Sequence, residues 1–286
     1  MGQGIAANLV KAGHHVRVWN RSRGPVDKLV AEGAHAAATP RDAFAGDAVL
    51  SMLSADDVVR SVIVDSGVLA SAPPGLVHVN LATISVALAQ ELAELHHARG
   101  LGYVAAPVFG RPDAAAAAKL HVVAAGAAAT IERVQPLLDA IGQKTWIVGT
   151  EPHRANVVKL AGNFMIAAAI EAMGEAAAMA EGHGVAPSEL MEVLTNTLFT
   201  APLYKNYGGM IAAHRYEPAG FKLVLGLKDV RLALEAADMV HAPLPFGGVL
   251  RYSFVDAIAH GQSDQDWSAV AEVSRRRAGQ DRESRE

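Results

Sequence analysis

Short apolar runs rich in β-branched residues alternate with helical stretches over the first half of the chain. HVRVW (15–19), AVLSM (48–52), LVHVN (76–80), GYVAA (102–106), KLHVVAA (119–125) and KTWIV (144–148) are strand candidates. Residues 25–33 and 86–99 carry helical spacing between them. Gly24-Pro25 reads as a helix entry, because proline at the first helical position gives up no needed hydrogen bond. Strands alternating with helices predict a parallel sheet with right-handed crossovers.

After Pro152 the strand signals nearly vanish. A long alanine-rich stretch without proline runs from 153 to 181 and meets Gly182-His183-Gly184. Further helices are expected near 187–198, 222–240, 244–260 and 266–276. The expected fold class is therefore an α/β Rossmann-like nucleotide-binding domain over 1–151, followed by an all-α domain over 152–276. A long interdomain helix joins them, and a charged, frayed tail covers 277–286. AAAAA (114–118) reads as a short helix former, and no internal repeat is visible.

Composition narrows the functional classes. At 286 residues two domains are favoured over one. With 51% hydrophobic and 19% charged residues, the chain has ample material for a core. A net charge of −4 leaves no basic footprint for nucleic acid. The absence of cysteine removes disulfides and thiolate metal sites. The twelve histidines are scattered, with no His-Glu-x-x-His pairing, so no metal is expected. The longest apolar region, 164–180, is interrupted by Glu171 and Glu175, so no membrane span is expected, and a cytoplasmic location is the default.

The first residues carry the strongest motif. GQGIAANLVKAG followed by HHVRVWNRS has the form of the helix and second strand of a dinucleotide-binding βαβ unit. Gly2 occupies the place of the third fingerprint glycine, which permits close helix–sheet packing, and the ribose reader falls at Asn20. On that reading the first strand and the first two glycines belong upstream of Met1, through a mis-assigned start or a truncation; the other reading is a short form lacking one central strand. After the second strand the chain offers Asn20, Arg21, Ser22 and Arg23 instead of an acidic residue. Neutral donors and two cations suit a 2′-phosphate, so NADP is expected over NAD.

These motifs resemble the β-hydroxyacid dehydrogenase family, whose pattern runs Gly-Leu-Gly-x-Met-Gly-x-x-Met-Ala-x-Asn-Leu and then Gly-His-x-Val-x-Val-Trp-Asn-Arg-Thr. The resemblance extends along nearly the whole chain. It implies that the backbone of Met52 and Leu53, in SML (51–53), touches the cofactor. It also implies that Thr83, in NLATIS, lies near the nicotinamide half, with Ala82 in place of the family's serine. NVVKLAGNF supplies Lys159 and Asn163, four apart on one helical face, with Asn156 a turn earlier. By resemblance these are the catalytic lysine and its substrate-orienting amide. An ammonium within reach of a carbonyl oxygen stabilises the alkoxide formed by hydride delivery and donates its proton. The flanking Val157, Val158, Leu160 and Ala161 leave Lys159 no polar face, which argues against a plain surface lysine. In GLKDVRLALEAA, Lys228 is implied to approach cofactor and substrate, and Asp229 to hold the helix.

The substrate turn departs from the family. Where members read Asp-Ala-Pro-Val-Ser-Gly-Gly, this chain has AAPVFGR, so Phe109 replaces the serine that bonds a carboxylate and Arg111 replaces the second glycine, with Gly110 kept. Either Arg111 holds the carboxylate as a charge-assisted fork, or the substrate is bulkier and less acidic than a 3-hydroxy acid; a surface role for Arg111 is the third possibility. Tyr204 and Tyr207 are candidates for lining the pocket. The resemblance implies an NADPH-dependent reductase or dehydrogenase interconverting a small aldehyde or keto acid and its hydroxy acid, working as a homodimer through the helical domain. Two alternatives stand beside it. An imine reductase-like enzyme is opposed by Lys159 and favoured by Phe109; a non-catalytic, cofactor-poor scaffold is supported by the missing strand and lost serine and opposed by the Lys159–Asn163 pair.

Overall fold

The computed structural model describes residues 1–280 and divides into two compact units, Met1–Lys159 and Leu160–Glu286. In the first unit the elements in chain order are α1 (Gly2–Lys11), β1 (Arg17–Val18), α2 (Arg23–Ala31), β2 (His35–Ala36), α3 (Pro40–Ala43), β3 (Ala48–Ser51) and α4 (Asp56–Val59). Then come β4 (Val77–Asn80), α5 (Val86–His97), β5 (Gly102–Ala105), β6 (Val108–Phe109), α6 (Pro112–Ala116), β7 (Leu120–Ala124), α7 (Ala128–Ile141) and β8 (Gly142–Ile147). All six expected strands form. The pattern missed β2 and β6, each two residues long and too short to show a period. Helix α2 starts two residues before Pro25, with Ser22 at its N-cap, so Pro25 is not its first residue.

The strands form three ladders: β1-β2, β3-β4-β5 and β6-β7-β8. All pairings are parallel except β6 with β7. In the middle ladder Ala48, Val77 and Gly102 lie abreast, as do Ser51, Asn80 and Ala105, so three strands end level. No ladder joins β1 to β3; residues of both line one cavity of about 680 Å³. A helix–helix contact fixes α1. At Gly4 an added Cβ would lie 2.9 Å from the Ala116 nitrogen, and the Asn8 side chain donates to the Ala115 carbonyl at 2.7 Å. The glycine that close packing requires is therefore Gly4, not Gly2, whose Cβ would meet Met52 at an ordinary 3.7 Å.

The core under β3, β4 and α5 contains a chain of buried polar groups. His96 Nδ1 donates to the Leu92 carbonyl at 2.6 Å, since a carbonyl only accepts. His96 Nε2 then accepts from His78 Nδ1 at 2.9 Å, and His78 Nε2 accepts from the Ser51 hydroxyl at 2.8 Å. Every ring nitrogen is satisfied with both imidazoles neutral. Burial pushes His78 well below its ordinary 6.5, helped by the neighbouring His96. Burial likewise brings His96 down to about 4, against the opposing bond to Leu92 and with help from Arg99.

In the second unit, α8 (His153–Gly182), which begins in the first, is followed by α9 (Pro187–Asn196), α10 (Pro202–Ala212), α11 (Leu223–Asp238), α12 (Pro245–Ala259), a 3₁₀ turn (Trp267–Val270) and α13 (Ala271–Arg277). Helix α10 was not expected as an element. Its Pro202 entry sits in a run of small and aromatic residues with no clear period. Trp267 packs edge-on against Tyr207 and Phe221, and the fully buried Asp266 carboxylate accepts from the backbone of Gly220, Phe221 and Ser268 and from the Ser268 hydroxyl. Gly174 of α8 lies so close to Ala271 that a Cβ would come within 2.7 Å of its Cα.

Two sequence expectations need correction here. Helix α8 is long and apolar enough to cross a membrane by length and composition, with a mean hydropathy of 1.4 over its most apolar window. Its Ala167, Ile170, Met173 and Ala177 are instead spent on the core of the helical unit. Arg277, which starts the charged tail, is helical and pairs with Asp256, as does Arg276 just before it, while Arg275 pairs with Glu181 and Glu272. The rest of that tail from 281 onward lies outside the described residues.

The buried histidines make stability pH-dependent. Their folded values lie below 6.5, so the unfolded chain binds more protons as pH falls and the folded state loses stability from about 6.5 downward, continuing through the folded value of about 4 for His96. The slope approaches about 1.4 kcal/mol per pH unit for each histidine. Glu171, raised by burial to about 6 from 4.5, works in the opposite sense and destabilises as pH rises. Urea unfolding at pH 7, 6 and 5 should therefore show a shallower acid loss for the His78→Leu/His96→Leu double variant than for the parent chain; equal slopes refute the assignment.

Candidate active site

The level ends of β3, β4 and β5 release their following loops side by side, and the candidate residues sit on those loops. Met52 and Leu53 follow β3. Thr83 follows β4 on a loop held at two points: Asn80 Oδ1 accepts from the Ala82 nitrogen at 3.0 Å, and Asp56 Oδ1 accepts from the Ser85 nitrogen at 3.0 Å. Phe109 and Gly110 come after β5. Gly110 has φ +140°, and a Cβ there would strike the Leu120 side chain at 2.7 Å, so glycine is a backbone requirement at this turn. Arg111 is half-buried at the N-cap of α6.

The cavity of the first unit brings together Gly2, Asn20, Met52 and Leu53, four of the residues expected at the cofactor. Arg21 and Ser22 adjoin it. Asn20 donates to the Ser22 hydroxyl at 2.8 Å and to its carbonyl at 3.0 Å, which tightens the turn that carries Arg21 outward. Thr83 does not line this cavity. Helix α1 starts at Gly2 with no side-chain cap and no acidic residue in its first turn. Its first backbone N–H groups and positive dipole end fit a phosphate, as a dinucleotide requires.

Lys159 stands on the second turn of α8, one turn after the buried Ala155 and Asn156. Its ammonium lies 4.3 Å from the centroid of the Phe109 ring. Val157 and Val158 are 44% and 40% exposed while Leu160 is buried, so the apolar residues flanking Lys159 do not all lie on the packed side. The helical period turns those valines away from the packed side, and the apolar surface at Lys159 comes from β6 instead. Asn156 is buried with no hydrogen-bond partner at its Oδ1, an acceptor that the sequence placed on this face without a task.

In the second unit, Asn163 is buried one turn further along α8, and its side-chain nitrogen donates to Asp229 Oδ2. Lys228 reaches Asp229 Oδ1 at 3.0 Å. Asp229 thus holds both Asn163 and Lys228. From sequence alone its expected part is to hold the helix. Its signal was its place beside Lys228 among the buried positions of the helix, but an acidic neighbour at i+1 does not reveal a partner 66 positions away. Tyr204 packs against Phe199 at 4.9 Å between ring centroids, and Tyr207 is buried against Trp267, a core role. Among the described residues no cluster of three or more His, Asp or Glu forms a metal site.

Comparison with known proteins gives a consistent picture. Residues 1–149 match the family model of the NAD binding domain of 6-phosphogluconate dehydrogenase, and residues 154–274 match the NAD-binding domain of NADP-dependent 3-hydroxyisobutyrate dehydrogenase. An uncharacterized oxidoreductase of Bacillus subtilis is 41% identical, covering 94% of this chain and 95% of its own length. The NAD-dependent L-serine dehydrogenase of Pseudomonas aeruginosa is 31% identical over 96% of this chain and 94% of its own. The crystal structure of 3-hydroxyisobutyrate dehydrogenase from Salmonella typhimurium superposes with a TM-score of 0.86 at 28% identity, covering 95% of each chain.

Removal of the Asp229 carboxylate takes away the acceptor of the buried Asn163 amide and the ion-pair partner of Lys228. Asp229→Ala should lower unfolding stability by about 1–3 kcal/mol in urea titrations. Asp229→Asn, which keeps the shape, should lose less. A neutral result for Asp229→Ala would mean that the carboxylate does not organise these two side chains.

Proposed function

The chain belongs to the β-hydroxyacid dehydrogenase family, and from that premise we propose that it is an NADPH-dependent oxidoreductase that interconverts a small aldehyde or keto acid and its hydroxy acid, with Lys159 as general acid and base. The observation that carries this reading is the placement of Lys159 and Asn163 one turn apart on α8, with the asparagine amide oriented by a buried carboxylate.

The nicotinamide cofactor supplies or accepts the hydride. The start of α1 at Gly2 would hold its phosphates. Asn20, Arg21 and Ser22 would hold the adenosine ribose and its 2′-phosphate, the loop at Met52 and Leu53 would lie along it, and Thr83 and Lys228 would approach its nicotinamide half. In the reductive direction Lys159 donates a hydrogen bond to the substrate carbonyl oxygen. It transfers a proton to that oxygen as the carbon receives hydride, so an alcohol leaves and the lysine is re-protonated from water. In the oxidative direction the neutral amine takes the hydroxyl proton. Asn163 orients the substrate from the next turn, and Asp229 keeps the amide in one rotamer. Phe109, Gly110, Arg111 and Tyr204 remain the proposed substrate contacts. Phenylalanine at the serine position supports a substrate with less acidic character beside the carbonyl than a 3-hydroxy acid.

Two outcomes test this reading. Lys159→Ala should reduce kcat for NADPH-dependent aldehyde reduction by about 10²–10⁴, the usual contribution of a positioned acid, and change NADPH affinity by less than about threefold. Unchanged turnover would remove Lys159 from the mechanism. Fluorescence titration should show NADPH binding about tenfold or more tighter than NADH, with the preference falling in Arg21→Ala, as expected when a charge-assisted contact to a phosphate is lost. Equal affinities would overturn the NADP assignment.

A further inference from the structure

The proposed catalytic lysine lies over the face of an aromatic ring. Lys159 Nζ lies 4.3 Å from the Phe109 centroid, well inside the ~6 Å over which a ring face attracts a cation. Both partners are anchored. Phe109 is paired through β6 to His121 of β7, is followed by a glycine that no other residue can replace without strain, and packs at the edge of the first unit's core. Lys159 sits between the buried Asn156 of the preceding turn and the buried Leu160 beside it.

We propose that Phe109 is the positioning residue for Lys159. Its ring face draws the ammonium over the substrate turn and fixes the direction in which the lysine's N–H groups point. A serine at this position would compete for those donors as a hydrogen-bond acceptor. A ring takes the charge through its quadrupole and leaves the directional donors to an oxygen ligand. Exchange of serine for phenylalanine in this turn thus changes how the lysine is held as well as removing a carboxylate contact. The inference rests on the proposed role of Lys159, and its test separates the two.

The contact itself is read by NMR of the folded protein without any substrate. The ε-methylene protons of Lys159, assigned by their loss in Lys159→Arg, should be shifted upfield by the ring current, and Phe109→Leu should return them to the ordinary lysine position. An ordinary position in the parent protein overturns the proposal. The consequence is read by kinetics with NADPH and succinic semialdehyde as probe substrate. Replacing Phe109 by mono-, di- and trifluorophenylalanine keeps its shape and weakens its quadrupole in steps. kcat should fall in the same order, by about 2- to 30-fold in total, with NADPH affinity constant. Phe109→Leu should resemble the trifluorinated protein, and Phe109→Trp should restore the rate. A flat fluorination series with the ring-current shift intact would refute the positioning role and reduce Phe109 to packing. A Lys159→Met protein with parental turnover would instead refute the catalytic reading, leaving the NMR measurement to decide whether the contact exists.

Discussion

Parallel strand pairing is the constraint on which the site depends. A parallel ladder cannot be closed by a tight turn, so each strand must be followed by a crossover, and all strands of the ladder end at one edge. In this chain β3, β4 and β5 pair in a register that sets Ser51, Asn80 and Ala105 abreast. Met52, Leu53 and Thr83 follow those ends directly, and Phe109 follows a few residues later. Residues spread over nearly 60 positions become neighbouring loops because of main-chain hydrogen bonding, before any side chain takes part.

Side chains then hold those loops still, and many of them are polar and buried. Asn80 and Asp56 accept from backbone nitrogens of the loop carrying Thr83. Behind it the Ser51–His78–His96–Leu92 chain fills a region of core in which each donor has an acceptor. Such a chain is compatible with burial only when complete, because a single unmatched imidazole nitrogen in that position would be left desolvated without compensation. Asp229 does comparable work in the helical unit, where one buried carboxylate accepts from the Asn163 amide and forms an ion pair with the Lys228 ammonium.

The substrate turn shows how one replacement alters several properties together. Phenylalanine at 109 removes a hydroxyl, adds apolar surface and places a ring under an ammonium. Gly110, kept from the family pattern, is held by steric need at φ +140° beside Leu120, so its retention says little about substrate. Arg111 sits at a helix N-cap, where its backbone is already committed to starting α6.

By itself the sequence determined the order and type of the main elements and the division into a strand-containing and a helical half. It also placed Lys159 and Asn163 on one helical face, because helical and strand periods are local properties of consecutive residues. The βαβ signature and the family it pointed to were legible for the same reason. Tertiary structure decided what depends on distant partners. Gly4, not Gly2, is the close-packing glycine, since only the approach of α6 makes a Cβ costly there. The surface beside Lys159 is provided by Phe109, fifty residues earlier in the chain, and not by the valines next to it on the helix. Asp229 became the anchor of Asn163 only when α11 was laid against α8. A period along the chain reports which side of an element is apolar; which residue arrives on that side is set by the packing of elements far apart in sequence.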